Sequence, residues 1–351
     1  MGDARASWRG RRILSGMSTE HQRRGARLVA VGFEGDAPTP GLERLVEAGV
    51  RSVILFARNA GPRPAVRETI ARIKSLSPSV GDPIMVCVDQ EGGRTVRFTE
   101  GFDPPPTMRE VGAGGPDAAA DIGSRLAADL RPVGIDLDLA PVVDVDSNPA
   151  NPVIGPRSFG RDPALVGSCG AALIRAMQEG GVAACAKHFP GHGDTDLDSH
   201  HDLPVLRHDL DRLRSVELPP FEAAIRAGVA SIMTTHVVFD ALDPGVPATM
   251  SRTVIDGLLR TELGFEGVVI SDDLEMEAIV GLESIGGDLG EAGVRTIEAG
   301  VDLLLCCHRP DRQARVIEAI AEAIAEGRLP EERIASAHAR LDRLFDRFVR
   351  A

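Results

Sequence analysis

The chain has 351 residues, enough for one α/β barrel or two smaller domains, and its 43% hydrophobic and 26% charged residues are typical of a globular protein. Its formal net charge of −13 argues against a surface that binds nucleic acid or an anionic membrane. The sequence contains no apolar run of about 18 residues, which a membrane-spanning helix requires. We therefore expect a cytoplasmic protein with no nucleic-acid and no membrane partner.

The first 25 residues are rich in arginine, and they predict either a disordered extension ahead of a single folded domain that covers residues 26–351 or an over-called start, with Met17 as the true beginning. The pair Arg11-Arg12 resembles the start of a twin-arginine export signal. However, residues 18–27 are polar at the place where such a signal is apolar. The extension therefore does not predict export.

Eight short apolar segments predict β-strands. They are rich in Val, Ile, Leu and Ala without strict alternation, which is typical of parallel strands covered on both faces. The predicted strands span residues 27–33, 52–56, 84–88, 135–139, 182–186, 230–234, 267–270 and 301–305.

Amphipathic segments between these strands predict helices, and one of them begins with the N-cap and first-turn pair Asp162-Pro163. The alternation predicts a single-domain (β/α)8 TIM barrel with an extra C-terminal helix. A doubly wound open sheet is the alternative, but no glycine-rich phosphate-binding motif follows the first strand. The predicted helices span residues 42–48, 65–76, 118–130, 163–179, 210–227, 251–263, 290–299, 311–325 and 331–349.

Polar side chains follow five consecutive predicted strands, where the catalytic residues of a TIM barrel lie. A single Asp or Ser at such a place often only caps the next helix, but five consecutive strands exceed what capping requires. These residues are Asp89 to Arg94 after strand three, Asp144 after strand four, Lys187-His188 after strand five, Thr235-His236 after strand six and Ser271-Asp272-Asp273 after strand seven.

The stretch from Lys187 to His201 concentrates this pattern, because it holds four of the nine histidines. Lys187 is also one of only two lysines, against 37 arginines. Since lysine presents a compact point charge and arginine a planar fork, this bias indicates a site that needs an ammonium group.

The histidines also allow a zinc-dependent amidohydrolase, with His188, His192, His200 and His236 as ligands. Barrels of that class carry a His-x-His motif on the first strand, and residues 28–33 contain no histidine. The five cysteines fit neither a zinc knuckle nor a disulfide framework, and they predict reduced, packed thiols. We expect no metal and no cofactor.

Six motifs follow one another between residues 27 and 310 in the order found in one enzyme family. The most specific is the run from Lys187 to Gly193, Lys-His-Phe-Pro-Gly-His-Gly, together with Asp198-Ser199-His200; the others lie at residues 53–59, 89–94, 154–160 and 267–274. The chain thus resembles the single-domain β-N-acetylglucosaminidases (β-N-acetylhexosaminidases) of glycoside hydrolase family 3, which act in peptidoglycan recycling.

The resemblance implies a retaining exo-β-N-acetylglucosaminidase, which needs a nucleophile on one face of the sugar and an acid/base on the other. By its place in the motif, directly after Ser271, Asp272 is expected to be the nucleophile in preference to Asp273, with a helix cap as the alternative. His200 is expected to be the acid/base, with Asp198 orienting its ring and raising its basicity. His201 has no role by motif.

The same resemblance implies a sugar-binding set that consists of Asp89, Arg157, Lys187 and His188. For Arg157 a loop salt bridge is the alternative, and for His236 a sugar contact and a structural role are equally open. His192, between two glycines, is expected to shape the loop.

The implied partner is a small carbohydrate, either a muropeptide containing N-acetylglucosamine or a chito-oligosaccharide, and we expect a monomer or weak homodimer. A β-N-acetylglucosaminide phosphorylase on the same scaffold stays open, because a histidine acid/base repels an incoming phosphate less than a glutamate does. A non-catalytic sugar-binding barrel is disfavoured by the intact set of Asp272, Asp198 and His200.

Overall fold

The computed structural model describes residues 19–77, 82–196 and 203–349. Eight parallel strands close into a barrel, and two short parallel strands pair beside it, so the predicted TIM barrel is confirmed and the open sheet is wrong. The barrel strands are β1 Val29–Val31, β2 Ser52–Leu55, β3 Met85–Val88, β4 Leu137–Asp138, β5 Ala183–Phe189, β7 Ser231–Thr234, β9 Val268–Asp273 and β10 Leu303–Cys306; the short pair is β6 Val205–Leu206 and β8 Val238–Phe239. Around the barrel the order is β1-β10-β9-β7-β5-β4-β3-β2.

Helices surround the barrel, and each predicted helix overlaps an observed one. Two of the predicted helices contain π-helical segments, at Leu213–Glu217 and Thr253–Glu262. The α-helices are α1 Thr19–Ala26, α2 Pro40–Ala48, α3 Arg63–Ser75, α4 Met108–Ala113, α5 Gly115–Leu130, α6 Pro163–Glu179, α7 Leu210–Arg212, α8 Leu218–Arg226, α9 Glu277–Val280, α10 Leu289–Ala299, α11 Pro310–Ala325 and α12 Glu331–Phe348.

The predicted disorder of residues 1–25 is wrong for the part of this segment that the structure describes, because α1 begins at Thr19. Gly25 lies so close to Ile320 on α11 that an added Cβ would meet it at 3.1 Å. Arg24 pairs with Glu331 on α12 at 2.6 Å, and its carbonyl lies 3.0 Å from His338 Nε2. Tertiary packing against two C-terminal helices therefore orders a segment whose composition suggested disorder.

Buried carboxylates connect neighbouring strands at the N-terminal end of the barrel. Asp136, just before β4, accepts the backbone N–H of Val86 on β3 at 3.0 Å and pairs with Lys74 at 2.8 Å. Asp302, just before β10, accepts the N–H of Val269 on β9 at 3.0 Å. Three arginines also donate to Asp302, and they are Arg260, Arg333 and Arg340.

Two strands gain one residue relative to their neighbours at their C-terminal ends. Between the pairs Ala186↔Ile232 and Phe189↔Thr234, β5 advances three residues while β7 advances two. Strand β9 does the same against β10 between Ile270 and Asp273. Such bulges bend a strand and re-aim its side chains, and these two fall at Lys187-His188 and at Ser271-Asp272.

Within the described residues no helix is both long enough and apolar enough to cross a bilayer.

Candidate active site

A cavity of about 670 Å³ opens at the C-terminal ends of the barrel strands. This is the end at which TIM barrels carry their active sites. Its polar lining includes Asp89 and Glu91 after β3, Arg157 from the turn Gly155–Arg157, Lys187 and His188 on β5, Asp272 and Asp273 on β9, and His308 after β10. All five described members of the predicted site, Asp89, Arg157, Lys187, His188 and Asp272, therefore meet in one cavity.

Two cations and two carboxylates form a hydrogen-bonded cluster on one wall of the cavity. Lys187 Nζ lies 2.7 Å from Asp89 Oδ1 and 2.7 Å from Glu91 Oε1. Arg157 donates from Nε and Nη2 to the two oxygens of Glu91, both at 2.7 Å. Arg97 also pairs with Asp89 at 3.4 Å, so three cations face the two carboxylates, and these contacts hold the side chains in place.

Each of the three buried members of this cluster is held in its charged form. Burial raises the pKa of Glu91, but Arg157 and Lys187 outweigh that effect and hold it well below its usual range. Burial lowers the pKa of Lys187, and Asp89 and Glu91 outweigh it in turn, so that the ammonium stays protonated. The pKa of Arg157 is likewise raised, by Glu91 against its burial. Glu91 is therefore unsuited to donating a proton near neutral pH.

Asp144 positions His188 from behind the cavity wall. Its Oδ2 lies 2.7 Å from His188 Nδ1, and it also accepts the backbone N–H of His188 and, at 2.7 Å, of His192. Burial raises the pKa of Asp144, but His188 and His192 together lower it more, so the carboxylate is ionised and accepts a hydrogen bond from Nδ1–H of His188. In a neutral ring Nε2 is then the acceptor, and it faces Arg157 Nη2 at 3.5 Å.

Asp272 and Asp273 end β9 and line the opposite part of the cavity. Asp272 Oδ1 accepts the backbone N–H of Asp273 at 2.8 Å. Asp273 Oδ2 lies 3.1 Å from His308 Nε2, and this hydrogen bond raises the pKa of His308. The second carboxylate of the pair is thus hydrogen-bonded to an imidazole after β10, whose Nδ1 lies 3.0 Å from Arg58 Nη1.

His192 and His236 are both buried and hydrogen-bonded. Burial and the neighbouring His188 lower the pKa of His192 to about 4, so its ring is neutral, and its Nδ1 lies 2.9 Å from the Thr195 hydroxyl. His236 lies 2.9 Å from Thr249 Oγ1 and 3.0 Å from the carbonyl of Asp273. His236 therefore supports the backbone next to Asp272, which favours the structural role over a sugar contact.

The predicted acid/base pair, Asp198 and His200, lies outside the described residues, and so does His201. The described residues just before this gap are anchored: Asp194 accepts a hydrogen bond from Ser147 at 2.8 Å and also contacts His208. The positions of the two predicted catalytic residues relative to Asp272 are thus not described by the structure.

Three residues of the site were not assigned from the sequence, namely Glu91, Asp144 and His308. Glu91 and Asp144 both follow predicted strands, and that position makes them candidates for the site. The sequence does not indicate which side chains they bind. His308 follows the eighth predicted strand, where no motif drew attention to it. Among the described residues, no three His, Cys, Asp or Glu side chains are grouped so that they could hold a metal ion.

Comparisons with known proteins relate the whole barrel to one family. Residues 23–344 match the family described as glycosyl hydrolase family 3 N terminal domain. A β-hexosaminidase from Neisseria meningitidis serogroup C is 39% identical over 277 residues, which are 77% of this chain and 74% of that protein. A β-hexosaminidase from Stenotrophomonas maltophilia is 40% identical over 266 residues, 74% of this chain and 76% of that protein.

Solved structures are similar as well. A family 3 β-N-acetylglucosaminidase from Paenibacillus sp. superposes on 93% of this chain with a TM-score of 0.89 and 40% identity, and this chain spans 62% of its length. NagZ from Neisseria gonorrhoeae, solved in complex with N-trifluoroacetyl-D-glucosamine, gives a TM-score of 0.75 and 32% identity over 90% of this chain and 97% of its own.

Proposed function

The chain belongs to glycoside hydrolase family 3 and is a glycosidase, and we propose that it is a retaining exo-β-N-acetylglucosaminidase acting by double displacement. The relatives named β-hexosaminidase support N-acetylglucosaminidase activity. The observation that carries the proposal is that Asp272 lines the same cavity as the cluster of Asp89, Lys187 and Arg157.

In this mechanism the charged cluster binds a terminal, non-reducing N-acetylglucosamine. Asp89 offers carboxylate oxygens, Lys187 and Arg157 offer donors, and His188 offers Nε2, so both donors and acceptors face the hydroxyls of one sugar. Because Glu91 and Asp144 already hold these side chains, little reorganisation is needed when the sugar arrives.

Asp272 then attacks the anomeric carbon, and the bond from that carbon to the aglycone oxygen breaks as the bond to the Asp272 carboxylate forms. His200 donates a proton to the departing oxygen, with Asp198 orienting its ring. In the second step His200 takes a proton from water, water attacks the same carbon, and Asp272 leaves. Two inversions retain the β configuration.

The described histidines of the cavity are less suited to this proton transfer. His188 commits Nδ1 to Asp144 and faces Arg157 with Nε2. His192 is almost completely buried, and its low pKa of about 4 leaves it unprotonated at neutral pH. His308, the third described histidine of the cavity, is hydrogen-bonded to Asp273. The assignment of the acid/base to His200 therefore rests on its motif.

For the natural substrate we propose an N-acetylglucosamine linked to a muropeptide, as the resemblance to peptidoglycan-recycling enzymes implies, in a cytoplasmic setting. A chito-oligosaccharide is the alternative substrate with the same terminal sugar.

The nucleophile is tested by trapping the glycosyl-enzyme with a 5-fluoro N-acetylglucosaminide, or with a 2-deoxy-2-fluoro glycoside in which fluorine replaces the acetamido group, and mapping the modified peptide by mass spectrometry. We expect the label on Asp272, and a label on any other residue would overturn the assignment. Turnover of p-nitrophenyl N-acetyl-β-glucosaminide tests the activity itself. Product analysis in phosphate buffer separates hydrolysis from phosphorolysis, because only the latter yields a sugar 1-phosphate.

A further inference from the structure

Strand β9 carries the proposed nucleophile at a point where the ladder of the barrel is interrupted. The register of β9 against β10 shifts between Ile270 and Asp273, so Ser271 and Asp272 lie in a bulge. A bulge disrupts the backbone hydrogen bonds of a ladder locally. At this place the N–H of Leu305 on β10 donates to the Ser271 hydroxyl at 3.0 Å. The position of Asp272 therefore depends on side-chain contacts as well as on strand pairing.

The residue after the bulge, Asp273, contacts the nucleophile and is held by three of its neighbours. Its backbone N–H donates to Asp272 Oδ1 at 2.8 Å, which restricts rotation of that carboxylate. Its Oδ1 accepts the N–H of Glu275 at 3.1 Å, and its Oδ2 lies 3.1 Å from His308 Nε2. His236 Nε2 lies 3.0 Å from its carbonyl oxygen. These contacts keep the carboxylate of Asp273 beside His308, whereas like-charge repulsion from a carboxylate turned toward Asp272 would disfavour the ionised nucleophile.

Arg58 determines which nitrogen of His308 carries the ring proton. Its Nη2 donates to the carbonyl of Cys307 at 2.6 Å, and its Nε donates to the carbonyl of Phe33 at 2.8 Å. Its Nη1 lies 3.0 Å from His308 Nδ1. Because a guanidinium has donors and no acceptor, Nδ1 accepts this hydrogen bond, and the proton of the neutral ring is on Nε2. Nε2 therefore donates to Asp273.

The charged groups that face His308 are Asp273, Glu275 and Arg58. The hydrogen bond with Asp273 raises the pKa of His308, and the positive charge of Arg58 opposes this effect. Glu275 accepts the backbone N–H of His308. In a protonated ring the Nδ1–H would face the Arg58 donor, so the contact with Arg58 requires the neutral ring.

We propose that His308 is a positioning residue for the nucleophile: as a neutral imidazole held by Arg58, it fixes Asp273. The backbone N–H of Asp273 is thereby kept on Oδ1 of Asp272. This inference rests on the proposed function, because it takes Asp272 as the nucleophile. It gives the residue after β10 a role in the covalent step, while the charged cluster on the other wall of the cavity binds the sugar.

Two substitutions of His308 separate hydrogen bonding from charge. His308→Leu removes both ring nitrogens, whereas His308→Gln keeps one acceptor and one N–H donor and cannot become charged. Because the side chain of His308 is half-exposed, neither replacement leaves a buried cavity, and we expect both variants to fold.

With the aryl N-acetylglucosaminide, His308→Leu should lower kcat roughly 10- to 100-fold, because the nucleophile is displaced from its reactive position. The inhibition constant of N-acetylglucosamine, which reports sugar binding alone, should stay within about twofold of wild type. His308→Gln should keep kcat within about threefold of wild type. The rate at which a 5-fluoro N-acetylglucosaminide labels Asp272 should follow the same order, with His308→Leu slowest.

His338→Leu is the matched control, because His338 lies on α12, contacts the carbonyl of Arg24 and does not line the active-site cavity. It should leave kcat and the labelling rate unchanged. Urea denaturation checks that each variant is folded.

The inference is overturned if His308→Leu keeps kcat within about twofold of wild type, or if it weakens N-acetylglucosamine binding as much as it lowers kcat. It is also overturned if His308→Gln loses as much activity as His308→Leu, since a neutral donor would then be insufficient. Failure of the proposed function is a separate result. In that case the wild-type protein would release no N-acetylglucosamine from the aryl glycoside, or the label would lie on a residue other than Asp272.

Discussion

The two lysines of this chain lie at opposite ends of the barrel, and both form ion pairs with carboxylates that are largely buried. Lys74, near the end of α3, pairs with Asp136 below β4 at 2.8 Å. Lys187, on β5, pairs with Asp89 and Glu91 above β3, both at 2.7 Å. A buried ion pair between a lysine and a carboxylate therefore lies at each end, but of these two clusters only the one around Lys187 faces the active-site cavity.

The two clusters balance burial and charge differently. At the lower end burial outweighs Lys74 and Arg131, and the pKa of Asp136 is raised. At the upper end Arg157 and Lys187 outweigh burial, and the pKa of Glu91 is lowered. The upper cluster thus keeps its charges fixed, as the proposed sugar binding requires, while the lower cluster connects β3, β4 and α3. This agrees with the division of TIM barrels into a functional and a stabilising face.

The largest expected effect is that of Asp272→Asn, which removes the proposed nucleophile. We expect kcat to fall by roughly 10⁴-fold, because the covalent step is lost while sugar binding is kept. Turnover of the aryl N-acetylglucosaminide measures the loss of kcat. As a control for folding, the urea concentration at the midpoint of unfolding should stay close to that of the wild type. A variant with more than a tenth of wild-type kcat would exclude Asp272 as nucleophile.

Lys187→Met should lower kcat/KM by roughly 10²-fold, because Asp89 and Glu91 lose a shared donor and the sugar-binding wall loses its geometry. Steady-state kinetics on the aryl glycoside measure this loss. An activity equal to wild type would mean that the upper cluster has only a structural role.

Lys74→Met is the matched substitution at the other end of the barrel. It should lower the free energy of unfolding by roughly 2 kcal/mol, since Asp136 stays buried and, among the described residues, keeps only Arg131 as a cationic partner. Urea denaturation measures the loss, and kcat/KM of the folded protein should not change. A loss of activity without a loss of stability would contradict the division between the two ends.

The smallest effect concerns pH. Because the pKa of Glu91 is lower in the folded protein than its ordinary value of 4.5, its ionised form stabilises the fold above about pH 4.5. That contribution is lost as pH falls below this value towards the folded-state pKa. Glu91→Gln should therefore weaken the fall in stability between pH 5 and pH 3, as measured by urea denaturation at each pH. An unchanged pH profile would show that Glu91 is not held ionised.

Local patterns were sufficient for the architecture of this protein. The eight apolar segments predict the eight barrel strands because burial on both faces leaves a signature within a few residues of sequence. The order of the motifs likewise selects Asp89, Arg157, Lys187, His188 and Asp272 as candidates for one site, and all five line the active-site cavity. Asp198 and His200 stay predictions, since both lie outside the described residues.

What local patterns could not supply is the partner of each charged group. Lys187 and Asp89 are 98 positions apart, and Arg157 and Glu91 are 66 positions apart. The residues that surround each of these charged groups in the sequence do not indicate which distant group it pairs with. For the same reason the sequence does not predict that Asp144 orients His188. It also predicts disorder for most of α1, which packs on α11 and α12.

The barrel, the family resemblance and the residue types at the strand ends could all be predicted from the chain alone, because apolar periodicity is a local property and the motifs can be read along the linear sequence. Which of these side chains share a cavity, and which cation pairs with which carboxylate, depends on how the barrel brings distant strand ends together. The extra residues in β5 and β9 re-aim the strand ends at Lys187-His188 and Ser271-Asp272. A bulge depends on register with the neighbouring strand, and register exists only once the barrel has closed.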